Sequence, residues 1–181
     1  MKYAVFTVAM PEYDVNEAPD KLKNWGYDGV EWRVTKRPEN PQGTNFWGDN
    51  KCTIEFDTIL DEADRVRDMT QAAGLDMPAL AFYVGCSQID DVKKALQATA
   101  KMGVPAARIG VPGYRGDVNY HELFKQAVEQ YKEVEKVAAD NGVKAMAEIH
   151  MGNMIPSASA AYRFISNFDP EHVGVIFDPT A

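Results

Sequence analysis

Charged side chains stand where two apolar segments of the chain end. Glu148 and His150 fall at the end of residues 144–149 and just after it, and Asp178 follows residues 173–177. If these segments are strands, Glu148 and His150 point to the same side, because successive side chains of a strand alternate. A carboxylate inside an apolar strand is unfavourable unless it is paired or binds a cation. This placement predicts acid–base or metal chemistry at one edge of a sheet.

Each of these residues also has an interpretation without chemistry. Glu148 is able to pair with Arg108, which stands near the start of another apolar segment, and so is Glu31 from an earlier segment. Asp178 is suited to capping the turn that follows it. His150 is compatible with a hydrogen-bonded core histidine. The functional interpretation is favoured because several such residues gather at the same ends of predicted strands.

Short apolar segments rich in β-branched and aromatic residues alternate with longer segments of helical periodicity. Glycine closes most of the helical segments, at Gly26, Gly74, Gly103 and Gly142, as it does where a helix ends before the next strand. The alternation predicts a parallel sheet with helices outside it. The predicted strands are residues 3–8, 29–34, 78–84, 107–111, 144–149 and 173–177, and the predicted helices are residues 14–25, 56–73, 89–102, 120–140 and about 157–167.

An open doubly wound sheet and a barrel both satisfy this alternation. A dinucleotide-binding fold usually has a glycine-rich turn after its first strand, whereas residues 9–19 contain no glycine. The phosphate-binding pattern G-x-x-x-x-G-K-[ST] is also absent from the sequence. We therefore predict an α/β fold of the TIM-barrel type in a single domain over residues 1–181. The near-continuous apolar strands indicate that both faces of the sheet are covered.

One predicted loop, residues 35–53, is long for the connection after a strand, where about 2–6 residues are usual. It carries the adjacent aromatic residues Phe46 and Trp47. Long loops at the carboxyl ends of parallel strands often form pocket walls. We therefore assign Trp47 to substrate binding, together with Tyr83 at the end of the third predicted strand. A surface excursion without function is the alternative for the loop.

The composition argues against several classes of protein. The formal net charge of -8 disfavours a surface for nucleic acid or anionic lipid, because such surfaces depend on Lys and Arg. Cys52 and Cys86 are the only cysteines, so neither a disulfide framework nor a cysteine zinc site is expected. No apolar stretch approaches the roughly 20 residues of a membrane helix. We expect a cytoplasmic protein that binds neither nucleic acid nor membranes.

Four segments together resemble a known family. They are GYDGVEWR (26–33), ARIGVPGY (107–114), NGVKAMAEIHMGN (141–153) and HVGVIFDPTA (172–181), and they are similar to the sugar phosphate isomerase/epimerase family of xylose isomerase-like TIM barrels. The resemblance implies a divalent cation, Mn²⁺, Mg²⁺ or similar, held by four residues on strands five to eight.

The resemblance also implies roles for individual residues. It assigns Glu148 and Asp178 to the first two cation ligands and Glu148 to proton transfer. It places Glu31, Arg108 and His150 near a small-molecule sugar or sugar phosphate. The implied reaction removes a proton next to a carbonyl and returns it through an enediolate, which is isomerase or epimerase chemistry. Dehydratases share this scaffold, and fold alone does not choose among these reactions.

The resemblance leaves other hypotheses open. A complete barrel takes about 250 residues, so we expect about six of eight β/α units, a weakly bound cation and an inactive, truncated chain. Unpaired edge strands in such a sheet predict a homo-oligomer. The family also contains endonuclease IV, but the three histidines and negative charge fit that phosphodiesterase poorly. A non-catalytic binding or assembly module is the remaining alternative.

Overall fold

The computed structural model describes residues 1–39 and 43–178. Residues 40–42 of the predicted long loop and residues 179–181 lie outside the described residues. The chain divides into two compact units: Met1–Phe82 with Lys101–Val104, and Tyr83–Ala100 with Pro105–Ala181. The single domain expected from the sequence stays a prediction.

The first unit is a set of parallel strands with helices. It contains β1 (Ala4–Phe6), a 3-10 helix (Thr7–Ala9), α1 (Ala18–Asn24), β2 (Gly29–Thr35), β3 (Thr53–Glu55), α2 (Ile59–Ala72) and the first half of β4 (Leu80–Gly85). The strands β1, β3 and β4 all pair with β2 in parallel. Arg33 of β2 pairs with Ala81 on one side and Thr53 on the other, so β3 and β4 lie on opposite sides of β2.

The core of the first unit forms between β2 and its helices. Val30, Trp32 and Val34 alternate along β2 and are fully buried, as side chains on one face of a strand should be. The indole Nε1 of Trp32 donates a hydrogen bond of 3.1 Å to Thr70 Oγ1 on α2. Leu22 of α1 is also fully buried. The opposite face of β2 presents Glu31 and Arg33, whose side chains are polar.

Three predictions for the first unit differ from the structure. The first strand ends at Phe6 instead of residue 8, because Thr7–Ala9 form a 3-10 helix. The first helix starts at Ala18 instead of residue 14, because Asp14 Oδ1 accepts from the backbone and side chain of Asn16 in a turn that precedes the helix. Pro19 then stands in the first helical turn, where its missing N–H costs nothing. The strand β3 was not predicted, since three residues are too few to give a recognisable period.

The second unit repeats the strand–helix alternation. It contains the second half of β4, most of α3 (Ile89–Lys101), β5 (Ala106–Gly110), α4 (Tyr120–Asn141), β6 (Lys144–Glu148), α5 (Ala158–Ile165) and β7 (Val173–Ile176). The strand order is β4-β5-β6-β7, and β6 is parallel to both β5 and β7. The helix α4 begins at the capping side chain of Asn119 and ends before Gly142, which has a φ of 63°.

One face of β5 and β6 is buried and the other is not. Ala107, Ile109, Ala145 and Ala147 are fully buried, and Tyr131 of α4 donates a hydrogen bond from its hydroxyl to Ile109 O. The alternating positions of both strands are only half-buried. The half-burial of this second face neither confirms nor excludes cover on both faces, so that expectation stays a prediction for β5 and β6. Their apolar runs are too short to distinguish one covered face from two.

The two cysteines predict a pH-dependent property of the fold. Burial raises the pKa of the Cys52 thiol to about 12 and that of Cys86 to about 11. An unfolded thiol has a pKa of about 8.5, so between that pH and about 11 the native chain retains protons that the unfolded chain loses. The free energy of unfolding then falls as the pH rises through this window.

Thiolate absorbance at 240 nm measures this directly. We expect almost no thiolate signal from the native protein at pH 9.5, and the signal of two thiolates after unfolding in urea. The Cys52→Ala and Cys86→Ala variants assign the signal to one thiol each. A full thiolate signal from the native protein at pH 9.5 would contradict the buried placement.

Candidate functional site

The pairing of β5, β6 and β7 positions the charged side chains of the second unit. Arg108 of β5 lies opposite Met146 of β6, and Glu148 at the end of β6 lies opposite Ile176 at the end of β7. Arg108 and Glu148 both occupy the half-buried face, because alanines and Ile109 occupy the buried one. The two charged residues are therefore diagonal neighbours on the same face, within reach of long side chains.

An ion pair joins these two residues. Arg108 Nη1 lies 3.0 Å from Glu148 Oε2, and the side chains are 12% and 24% exposed. The guanidinium carbon of Arg108 lies 4.5 Å from the centre of the Tyr83 ring, a distance suited to a cation–π contact. The structure thus brings together three predicted site residues, Tyr83, Arg108 and Glu148. The pairing is also the alternative that the sequence left open for Glu148.

The ion pair leaves part of Glu148 available. Arg108 donates to Oε2, and the Asn153 side chain donates to the backbone oxygen of Glu148 at 3.0 Å. Among residues 1–39 and 43–178, Oε1 accepts no hydrogen bond. One carboxylate oxygen is therefore held in place by Arg108, and the other makes no hydrogen bond to the described residues.

Asp178 follows β7 at the same end of the strands as Glu148. The last residue of β7, Ile176, pairs with Glu148, and Asp178 comes two residues later and is half-buried. If the chain stays extended past Ile176, alternation places Asp178 on the face that carries Glu148. Two carboxylates supply the hard oxygen ligands that Mg²⁺ and Mn²⁺ prefer. The residues fit such a cation in kind, but they provide fewer ligands than a tight site needs.

His150 does not join the ion pair. It lies beyond β6 and is exposed, and its Nδ1 stands 2.6 Å from the backbone oxygen of Met151. The ring makes no other hydrogen bond within the described part of the chain. Its role in substrate binding stays a prediction.

Two further predicted site residues belong to the first unit. Glu31 is half-buried on β2, where it pairs with Phe6 of β1. Trp47 lies in the segment before β3, and its side chain is 68% exposed. The Trp47 backbone oxygen accepts a hydrogen bond of 3.1 Å from Arg33 Nη2. The assignment of both residues to substrate binding stays a prediction.

The sequence analysis missed two features of the structure. Arg33 and Asn50 are buried polar residues of the first unit. The position of Arg33 inside an apolar strand was a usable signal, whereas nothing in the local sequence distinguishes Asn50. Asp169, Glu171 and His172 place potential ligand atoms within 4.8 Å of one another before β7, at the end of that strand opposite to Glu148. These three side chains are exposed or half-exposed, and such groups are common without a metal.

Comparison with known proteins decides the family. Residues 19–180 match the family model described as xylose isomerase-like TIM barrel. The chain belongs to the xylose isomerase-like TIM barrel family. The resemblance stated from the sequence and the predicted fold class, an incomplete TIM-type barrel, are confirmed by this match. None of the curated proteins compared with the chain matches it significantly in sequence.

Solved structures share the fold of this xylose isomerase-like chain. One is 3-keto-D-glucoside 4-epimerase YcjR from E. coli, with a TM-score of 0.72 and 17% identity, covering 97% of this chain and 67% of that one. The IOLI protein with a bound zinc atom has a TM-score of 0.73 and 16% identity, covering 98% and 63%. A xylose isomerase-like TIM barrel protein from Mycobacterium smegmatis in complex with magnesium has a TM-score of 0.67 and 12% identity, and the match covers 98% of this chain and 64% of that one.

These likenesses have a defined extent. The chain spans about two thirds of the length of each of the three structures. At these identities they show the fold alone. In the described residues of this family member, no helix is both long enough and apolar enough to cross a membrane.

The Arg108–Glu148 pair makes a testable contribution to stability. Removing one partner leaves a mostly buried charge without its counter-charge, which is more costly than removing both. We expect the Arg108→Met and Glu148→Gln variants each to lose about 1–3 kcal/mol of unfolding free energy. The double variant should lose less than the sum, with a coupling energy of about 1–2 kcal/mol.

Urea denaturation of the four proteins of this double-mutant cycle measures the coupling. The exposed pair of Lys132 and Glu129 on α4, with side chains 50% and 64% exposed, provides a matched control. Its coupling should stay below about 0.5 kcal/mol. Additive effects at Arg108 and Glu148 would mean that the pair is not formed in solution.

Proposed function

We propose that this chain carries part of the active site of a divalent-cation-dependent isomerase or epimerase of sugars or sugar phosphates. The observation that carries the proposal is the carboxylate of Glu148, which Arg108 holds by one oxygen on the half-buried face of β6. The likeness in fold to a 3-keto-D-glucoside 4-epimerase supports the same reaction class. The family includes other reactions, so the substrate is proposed only as a small-molecule carbohydrate.

Glu148 has the properties that proton transfer needs. Its carboxylate would accept a proton from a carbon next to a carbonyl group, in addition to holding the cation. Its Oε2 is held by Arg108, so the carboxylate keeps one orientation towards a bound sugar. The ring of Tyr83, 4.5 Å from the guanidinium carbon, restricts Arg108 in turn. In this proposal Arg108 and Tyr83 orient the carboxylate, and they also border the space where substrate oxygens would lie.

Glu148 and Asp178 would hold the cation, Mn²⁺, Mg²⁺ or a similar ion. Two likenesses in fold support a metal in this family: one of those proteins was crystallised with zinc and another with magnesium. When bound, such an ion polarises a carbonyl oxygen and makes the neighbouring C–H more acidic. Two carboxylates alone give a weak site, so we propose weak binding and negligible turnover for this chain.

The remaining features of the proposal concern surroundings and assembly. We propose a cytoplasmic protein, since Cys52 and Cys86 are free, buried thiols of a kind that reducing compartments maintain. We also propose a homo-oligomer, as the sequence analysis predicts. The net charge of -8 disfavours nucleic acid as a partner.

Mn²⁺ titration followed by calorimetry tests the function. We expect weak, saturable binding to the wild-type chain, and a loss of about tenfold or more in affinity in the Glu148→Gln and Asp178→Asn variants. The Glu171→Gln variant is the matched control, because it removes a carboxylate from the exposed group before β7. Binding that persists without Glu148 and Asp178 but disappears without Glu171 would contradict the proposal. An absence of Mn²⁺ binding would favour the non-catalytic module.

A further inference from the structure

A buried polar network in the first unit holds the segment that carries Trp47. Thr7, Arg33, Asn50 and Thr53 are each at most 4% exposed. Arg33 Nη1 donates to Thr53 Oγ1 at 2.5 Å, and its backbone N–H donates to Thr7 Oγ1 at 2.9 Å. Arg33 Nη2 donates to the backbone oxygen of Trp47 at 3.1 Å. The guanidinium of β2 therefore bonds directly to the backbone of the segment.

Asn50 ties the same segment to the end of β1. Its Nδ2 donates to the backbone oxygens of Val8 at 3.0 Å and Phe46 at 3.3 Å, and its Oδ1 accepts from the backbone N–H of Cys52 at 2.9 Å. One side chain thus joins the 3-10 helix after β1, the aromatic pair and the start of β3. The segment has polar anchors on both sides of Trp47.

The network fixes a conformation more than it adds stability. Burying a guanidinium and an amide requires hydrogen bonds to offset their desolvation, and well-packed apolar residues of similar volume are often as stable. Arg33 Nη2 donates to the backbone oxygen of Trp47 and Asn50 Nδ2 donates to that of Phe46, so these two bonds form only when the segment adopts this arrangement. Hydrogen bonds of this kind therefore favour one conformation of the segment.

The side chains that this arrangement presents are aromatic and exposed. Phe46 is 52% exposed and Trp47 is 68% exposed. The backbone N–H of Trp47 donates to Asn45 Oδ1 at 3.0 Å, and its carbonyl accepts from Arg33, so both backbone polar groups of this residue are held. A rigid backbone with an indole left in solvent is suited to binding, because aromatic side chains provide large contact areas at a small entropic cost.

We propose that Arg33 and Asn50 are positioning residues that hold Trp47 as a preformed wall for the apolar face of a sugar ring. The inference rests on the proposed function for the class of ligand. It adds a mechanism, since the segment does not have to be ordered when the sugar binds. The sugar contact is made by the Trp47 indole, and Arg33 and Asn50 act only through the backbone of the segment.

Tryptophan fluorescence in a Trp25→Phe background tests the inference. That substitution leaves Trp47 and Trp32, and Trp32 is fully buried, so changes caused by a sugar report on Trp47. We expect D-fructose to change the Trp47 emission in a saturable way. Because the wall is preformed, sugar binding should slow the local motion of Trp47 only slightly. Arg33→Met should increase that local motion in anisotropy decays and weaken D-fructose binding by several-fold to about tenfold.

Further variants separate positioning from general destabilisation. Arg33→Lys should recover part of the D-fructose affinity that Arg33→Met loses. Trp47→Ala should abolish the fluorescence response and weaken binding. Arg65→Met on α2 is the control and should change neither the motion of Trp47 nor the D-fructose affinity. Circular dichroism checks folding, and Trp47→Ala alters only an exposed side chain, so it remains informative if Arg33→Met does not fold. Unchanged Trp47 motion and D-fructose affinity in Arg33→Met would overturn the positioning role of Arg33. Unchanged D-fructose affinity in Trp47→Ala would overturn the role of Trp47 as a wall.

The outcome also distinguishes this inference from the proposed function. Saturation-transfer NMR detects D-fructose binding independently of tryptophan. If NMR shows D-fructose binding and Trp47 emission does not respond, this inference fails and the proposed function stands. If D-fructose does not bind to any form of the protein by either method, the sugar wall is overturned together with its premise, the carbohydrate function.

Discussion

The alternation of side chains along β5 and β6 is the constraint on which the candidate site depends. Small apolar residues, Ala107 and Ala145 among them, occupy the buried face of these strands. Tyr131 of α4 donates a hydrogen bond to the backbone of Ile109 on β5. The residues between these apolar ones must then take the other face. A pairing register shifted by one residue would bury the charges of Arg108 and Glu148 in the core, so the burial of the alanines fixes the register and the site together.

The charges on the half-buried face need partners because they are only partly exposed. A guanidinium and a carboxylate in such surroundings each lose hydration, and their mutual contact at 3.0 Å offsets that loss. The same requirement operates in the first unit, where Arg33 and Asn50 find acceptors in the segment of Trp47. In each unit, hydrogen bonds made by a buried or half-buried arginine orient a group suited to binding: the Glu148 carboxylate in one and the Trp47 backbone in the other. Supporting contacts of this kind hold such a group in place before a ligand binds.

The sequence predicted the alternating strands and helices well, because long amphipathic helices such as α4 and the glycine after it carry strong signals. It did not predict β3, whose three residues give no period, or the start of α1, where the Asp14 side chain turns the chain instead of capping the helix. For the site, strand parity was enough to pair Arg108 with Glu148. The anchoring of Trp47 was not predictable, because it depends on contacts between Arg33 and a segment more than ten residues away.

The central claim is that the carboxylate of Glu148, on the half-buried face of β6, is where a divalent cation binds. Paramagnetic broadening by Mn²⁺ locates the ion directly, with methyl-labelled methionine reporting from Met146, two residues from Glu148 on the same face, and the ring signals of His172 reporting from the opposite end of β7. The account predicts that the Met146 methyl signal broadens first and that Glu148→Gln prevents it. Broadening that begins at His172 and leaves Met146 unchanged would contradict the account.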